Sequence, residues 1–151
     1  LLSQGKRRNI IDMLLQSQLA RYYFEKYVLE VAIATLEKGV TVSKLETYQF
    51  LPAVDAWGFP KYPSKTAILP PQVDLVNELK NFILANELFL READCWFGTW
   101  INPQTEYFYL DVTTSRDDLN EAKQIALEIG EHEGRRIVAL YNSKRDETIY
   151  L

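Results

Sequence analysis

An α+β fold, with a long N-terminal helix and a second helix packed on a small, mostly antiparallel sheet, follows from three observations. Residues 7–38 contain no Pro or Gly and repeat apolar residues at helical spacing. From Cys95 onward the pattern changes to short alternating strands set between turn residues. Between the two lies a stretch holding five of the six prolines. At 151 residues the chain suffices for one sizeable core and is short for two, so residues 1–151 read as a single domain.

The helix over 7–38 has two apolar rows. Leu15, Leu19, Tyr22, Leu29, Ile33 and Leu36 alternate by four and three, with Lys26 the only gap. At roughly 100° per residue they share one face. Ile10, Met13, Ala20, Phe24, Tyr27, Val28 and Val31 make a second row on nearly the opposite face, with charged residues such as Asp12, Arg21, Glu25, Glu30 and Glu37 between the rows. A surface helix needs one apolar face. Either the sheet and second helix wrap both rows, or one row stays open for a partner. Gly39 suits the left-handed position that closes such a helix.

Residues 40–42 are a short β-branched run, and 45–51 fit either a strand or a short helix stopped by Pro52 and are read as a short extended piece. Residues 53–71 read as an ordered loop laid on the core, because a flexible linker would not carry Trp57, Phe59 and Tyr62 so close together. Within it 66–69 reads as extended, and Pro60-Lys61-Tyr62-Pro63 has the common P-x-x-P spacing. Residues 72–90 form the second helix. Val73, Val76, Leu79, Phe82 and Ile83 give its apolar face, Asp74 and Glu78 suit its positive end, and Asn86-Glu87 marks a break. Residues 95–151 read as a ββαββ unit. Its strands are 96–101 and 106–112 about an Asn-Pro turn, then 136–141 and 147–151 about a polar turn. Its helix is capped from Ser115 and ended by Gly130 or Gly134.

Composition narrows the function classes. A net charge of −4 and a pI near 5.1 argue against a protein that mainly grips phosphates, and Lys6-Arg7-Arg8 reads as a solvated helix start. The single cysteine, Cys95, permits no internal disulfide and points to a reducing, cytoplasmic setting. Its flanks, Asp94 and Trp96, offer no cation to activate a thiolate. Charges every few residues rule the long helix out as a membrane span, and Asp12 interrupts what would be a signal peptide. The chain begins at Leu1, as expected of a trimmed product or a piece of a longer protein.

Trp100-Ile101-Asn102-Pro103-Gln104-Thr105, Tyr109-Leu110-Asp111-Val112, the capped helix and Ile137-Val138-Ala139-Leu140-Tyr141 together resemble a short module of uncharacterised bacterial and phage proteins. That module carries a Trp, an Asn/Asp-Pro-x-Thr turn, Tyr-Leu-Asp and a final strand pair. The resemblance covers about the last 55 residues, and Glu106 stands where a turn Gly is commoner. It implies a phage or mobile-element setting and no assigned activity.

No side chain is assigned a catalytic, cofactor-binding or metal role, and no cofactor is expected. One His and one distant Cys cannot supply a zinc site, and Asp117 and Asp118 have sufficient reason to stand at a helix start. The scattered glycines form no phosphate loop. The leading reading is a non-catalytic interaction or assembly protein that meets a protein partner or its own copies. Met13, Phe24, Tyr27, Val31, Trp57, Phe59 and Tyr62 are the expected contact residues. One alternative is a small nuclease or hydrolase using His132 with Asp111 or Arg136. Another is a nucleic-acid-binding module stacking bases on Trp96, Phe97, Trp100, Tyr107, Phe108 and Tyr109, which the acidic charge disfavours.

Overall fold

The structure, a computed structural model, describes residues 1–151. Helix α1 (Gln4–Lys38) starts a few residues before the predicted limit because Ser3 caps it, its side chain accepting from the Lys6 N–H at 3.2 Å. Gly39, at φ +80°, ends it and donates its N–H to the Thr35 carbonyl. Then follow β1 (Val40–Lys44), β2 (Gln49–Phe50), β3 (Trp57–Pro60), a 3-10 turn (Pro63–Lys65) and β4 (Ala67–Leu69). Helices α2 (Leu75–Ala85) and α3 (Glu87–Leu90) meet at Asn86, the anticipated break. Strands β5 (Trp96–Ile101) and β6 (Phe108–Arg116), helix α4 (Leu119–Glu133) and strands β7 (Ala139–Asn142) and β8 (Glu147–Tyr150) complete the chain.

This is the α+β architecture expected, with one correction at its centre. All eight strands form a single antiparallel sheet in the order β2-β1-β5-β6-β3-β7-β8, with β4 also on β6. Strand β6 pairs with β5 along one edge, and β3 and β4 share its other edge end to end. The stretch predicted as a surface loop therefore supplies an interior strand. Trp57 and Phe59 are buried while Gly58 and Pro60 alternate with them, a period of two interrupted by prolines. Pro60 is tolerated because it ends the strand. Strand β3 also separates the two C-terminal hairpins, so the ββαββ order in sequence is not a contiguous unit in space. Strand β6 extends past 112 to Arg116, and the cap of α4 is Asp118, which accepts from the Glu121 N–H at 2.8 Å.

The pairing register sorts the sheet into two faces. Phe97, Thr99, Leu110, Val112, Trp57, Phe59 and Leu140 fall on one. The end of α1 with α2 and α3 covers part of it, burying Val28, Val31, Leu79, Ile83 and Leu90 against Phe97 and Leu110. Helix α4 covers the rest, with Ala122 and Ala126 against Trp57, Phe59, Ile137 and Leu140. The other face carries Val40, Val42, Gly98, Trp100, Asp111, Thr113, Gly58 and Tyr141, and no helix lies on it. The sheet curls towards that face. Strands β1 and β7, far apart in strand order, line a common hollow, and Trp100 of β5 meets Tyr150 of β8 at 6.4 Å between ring centres.

Candidate functional site

Of the two apolar rows on α1, the domain covers the second, and only over its C-terminal part from Phe24 on. Tyr27, Val28, Val31, Ala32 and Thr35 are buried and Phe24 is half-buried. Polar chemistry fixes this choice between two apolar faces. The Tyr27 hydroxyl pairs with Ser43 Oγ at 2.6 Å, and Thr35 Oγ1 lies 2.6 Å from Thr99 Oγ1, which is 2.5 Å from Thr41 Oγ1. These hydroxyls satisfy one another out of water, and Ala32 lets the helix approach the sheet. The first row stays open along its whole length: Leu15, Leu19, Tyr22, Leu29, Ile33 and Leu36 are all about half exposed or more.

Before Phe24 no residue of α1 enters the core or is buried by the domain. Every residue from 1 to 23 is exposed, so about five turns, roughly 30 Å of helix, project freely. This arm exposes Ile10, Ile11, Met13, Leu14, Leu15, Leu19, Tyr22 and Tyr23. At ~100 Å² per side chain, that exceeds the few hundred Å² that monomers usually leave to water. An unpacked arm also lacks the tertiary contact that supplies most helical stability in proteins.

Of the expected contact residues, only Met13 is freely exposed. Tyr27 and Val31 belong to the core under α1, and Trp57 and Phe59 to the core under α4, which is a correction forced by the interior position of β3. Phe24 packs at the core's edge, and Tyr62 packs on Phe89 and donates its hydroxyl to Glu92. The P-x-x-P stretch is not presented as a ligand, since Pro60 ends a strand and Pro63 is buried.

The uncovered sheet face holds a cavity of about 100 Å³. Gly58 and Gly98 flank Thr113 on its floor, and a Cβ at residue 98 would fall 2.0 Å from Thr113 Oγ1, so only glycine fits there. Val42, Leu51, Val54, Trp96, Trp100 and Tyr141 form much of the wall. The segment after β2 crosses to β7, where the Val54 N–H donates to Ser143 Oγ at 3.1 Å. Asp111 also lines the cavity. Its Oδ1 accepts from Thr66 Oγ1 at 2.6 Å. Burial pushes its carboxyl up to about 6, only partly offset by the Thr66 hydrogen bond and the charge of Arg135. Nothing in the sequence pattern marks the hollow, because it is assembled from distant strands.

Arg135 and Arg136 line a smaller adjoining hollow with Asp111, so part of the hydrolase grouping does come together. His132 does not join it. That residue is exposed on the last turn of α4 and makes no hydrogen bond or ion pair with Asp111. Between α3 and β5, Glu92, Asp94 and Cys95 place their ligand-type atoms within 4.8 Å of one another. Lys61 already stands against that group, 3.0 Å from Asp94 Oδ1 and 3.6 Å from Glu92 Oε2. The Cys95 thiol is pushed up to about 11, chiefly by burial, so it stays protonated at neutral pH. Among the aromatics considered for base stacking, Phe97 and Phe108 are core, Trp96 lines the cavity, Trp100 and Tyr109 pack at a 60° tilt on the open sheet face, and Tyr107 is exposed.

The chain is thus an α+β protein defined by a free apolar helical arm and a helix-free sheet hollow, and no helix is long and apolar enough to cross a membrane. No protein-family model matches it, and neither the search of curated proteins nor that of solved structures finds a match.

Proposed function

We propose that this chain is a non-catalytic assembly protein that self-associates through α1. The observation that carries this reading is the open row of α1. Leu15, Leu19, Tyr22, Lys26, Leu29, Ile33 and Leu36 step alternately by four and three, the a/d spacing of a coiled-coil seam, and the row points away from the domain. The domain packs on the opposite side of the helix, so a second α1 can lie along the seam without displacing it. At ~100 Å² of apolar surface per seam residue, two copies would remove on the order of 1,200 Å² from water, the lower range of stable interfaces. Lys26, the one polar seam residue, is of the kind that fixes register at some cost in stability.

The test is sedimentation velocity at micromolar concentration on the full chain and on a Leu19→Glu/Ile33→Glu variant. The wild type is expected to sediment as a dimer or small closed oligomer. Both substituted residues are exposed in the single chain, so the variant's domain should fold as before. Its association should weaken by about a hundredfold or more, because two aliphatic side chains leave the interface at about 1.5–3 kcal/mol each. A monomeric wild type would overturn self-association, as would a variant that still assembles unchanged.

A further inference from the structure

A second feature, independent of α1, is the hollow on the helix-free face of the sheet. Its apolar wall is rich in aromatic rings, its floor is cleared by Gly58 and Gly98, and hydroxyls of Thr113, Ser115, Ser143 and Thr148 stand around it. Among all the residues that line it, Asp111 is the only one that carries a charge. One carboxylate oxygen, Oδ1, is held by Thr66, whereas Oδ2 accepts no hydrogen bond from the protein. Arg135 donates instead to the Thr66 carbonyl at 2.8 Å and lies on the adjoining hollow, behind Asp111 rather than in the cavity.

A single carboxylate with one oxygen free, set in an aromatic wall above a floor cleared by two glycines, is the charge and shape complement of a small organic cation. Trp100 is held in place by Tyr109 and Tyr150, with ring centres at 5.1 and 6.4 Å, so the wall is built before any ligand arrives. We infer that this hollow binds a small alkylammonium, its N–H groups donating to Asp111 Oδ2 and its alkyl chain lying on the Gly58/Gly98 floor between Trp100 and Tyr141. A free anion would meet the carboxylate with like charge. A neutral alkane would leave that oxygen desolvated and without a partner. A volume of about 100 Å³ is smaller than the roughly 150 Å³ engineered cavity that holds benzene, so the cation is a small one.

The experiment titrates the full chain with n-butylammonium chloride, and separately with 1-butanol as its uncharged twin, at pH 7.5 and constant ionic strength. Tryptophan fluorescence and amide chemical shifts of β5 and β6 provide the readouts. The ammonium is expected to bind with a dissociation constant on the order of 1 mM, at least tenfold tighter than the alcohol. Asp111→Asn should abolish that preference. Gly58→Ala should weaken both ligands, because the new methyl meets only ordinary contacts of 3.6–3.7 Å, and the strand accepts it while the floor rises. A capped lysine separates sources: tighter binding than butylammonium assigns the site to a peptide side chain, and weaker binding assigns it to a free amine. Equal affinity for ammonium and alcohol overturns the inference. So does an unchanged preference in Asp111→Asn, or shifts that do not map to β5 and β6.

Discussion

Thr114 sits at a place where the strand pattern and the hydroxyl conflict. It is buried on the helix-covered face of β6, beside Phe59 by register, and its Oγ1 is the one buried side-chain polar atom without a hydrogen-bond partner. A desolvated hydroxyl of this kind costs roughly 1–3 kcal/mol. Thr114→Val keeps the shape and the β-branch while removing that cost, so it should raise stability by about 1 kcal/mol, read as a higher urea midpoint with an unchanged slope. Asp111 gives a second residue-scale expectation. Its folded-state carboxyl lies near 6, above the ordinary value of 3.8, because burial disfavours the charge. Between about pH 4 and 6 the folded chain therefore holds more of this proton than the unfolded chain does. Its contribution to stability must then fall as pH rises through that window and level off on either side. Asp111→Asn should remove this slope, which urea midpoints of both proteins at pH 4, 5, 6 and 7 would reveal. A wild type whose midpoint falls no more than the variant's over that range would contradict the assignment.

At the scale of elements, the sequence was readable wherever local chemistry decides the outcome. The cap of α4 moved from the expected Ser115 to Asp118 because β6 runs on to Arg116, but the break at Asn86 illustrates the rule, with its N–H and side-chain amide bound back to the Phe82 carbonyl. The Asn-Pro turn is another, with Glu106 at φ +65° holding the left-handed position where glycine is commoner. Strand β3 was not readable. Its alternation is only four residues long and ends in Pro60, and it forms because β6 and β7 leave a gap between them, which no local signal records. The two rows of α1 were visible, yet their roles were not. Both are apolar at helical spacing, and the domain's choice rests on Tyr27–Ser43 and Thr35–Thr99, pairs 16 and 64 residues apart. Phe24, Tyr27 and Val31 were accordingly expected as contacts although they lie where the domain packs on α1, and the hollow above Gly58 and Gly98 was missed because β1, β3, β5, β6 and β7 all contribute to it.

For the whole molecule, the proposed pairing of α1 with a second copy has a direction that the charges decide. In a parallel, in-register pair, Lys26 would face the partner's Lys26 across the seam, and Glu25 would flank the partner's Glu30. Both are like-charge contacts placed next to apolar surface, where screening is reduced. Antiparallel pairing removes both and brings Lys26 within reach of the partner's Glu30, an acid that Lys26 already approaches within its own helix at 3.7 Å. It also spreads the two domains to opposite ends of the paired helices, and each free arm then runs towards the other copy's domain instead of ending in water. A single spin label at Lys38→Cys discriminates the two arrangements, since Cys95 is buried and leaves residue 38 as the accessible thiol. With 1.5 Å rise per residue, antiparallel seams place the two labels about 30–40 Å apart, whereas a parallel pair holds them within about 20 Å. A dominant distance in the longer range is expected, collapsing to background in Leu19→Glu/Ile33→Glu. A short distance would reverse the direction while retaining the seam, and a long one that survives the double substitution would place the contact between copies elsewhere on the domain.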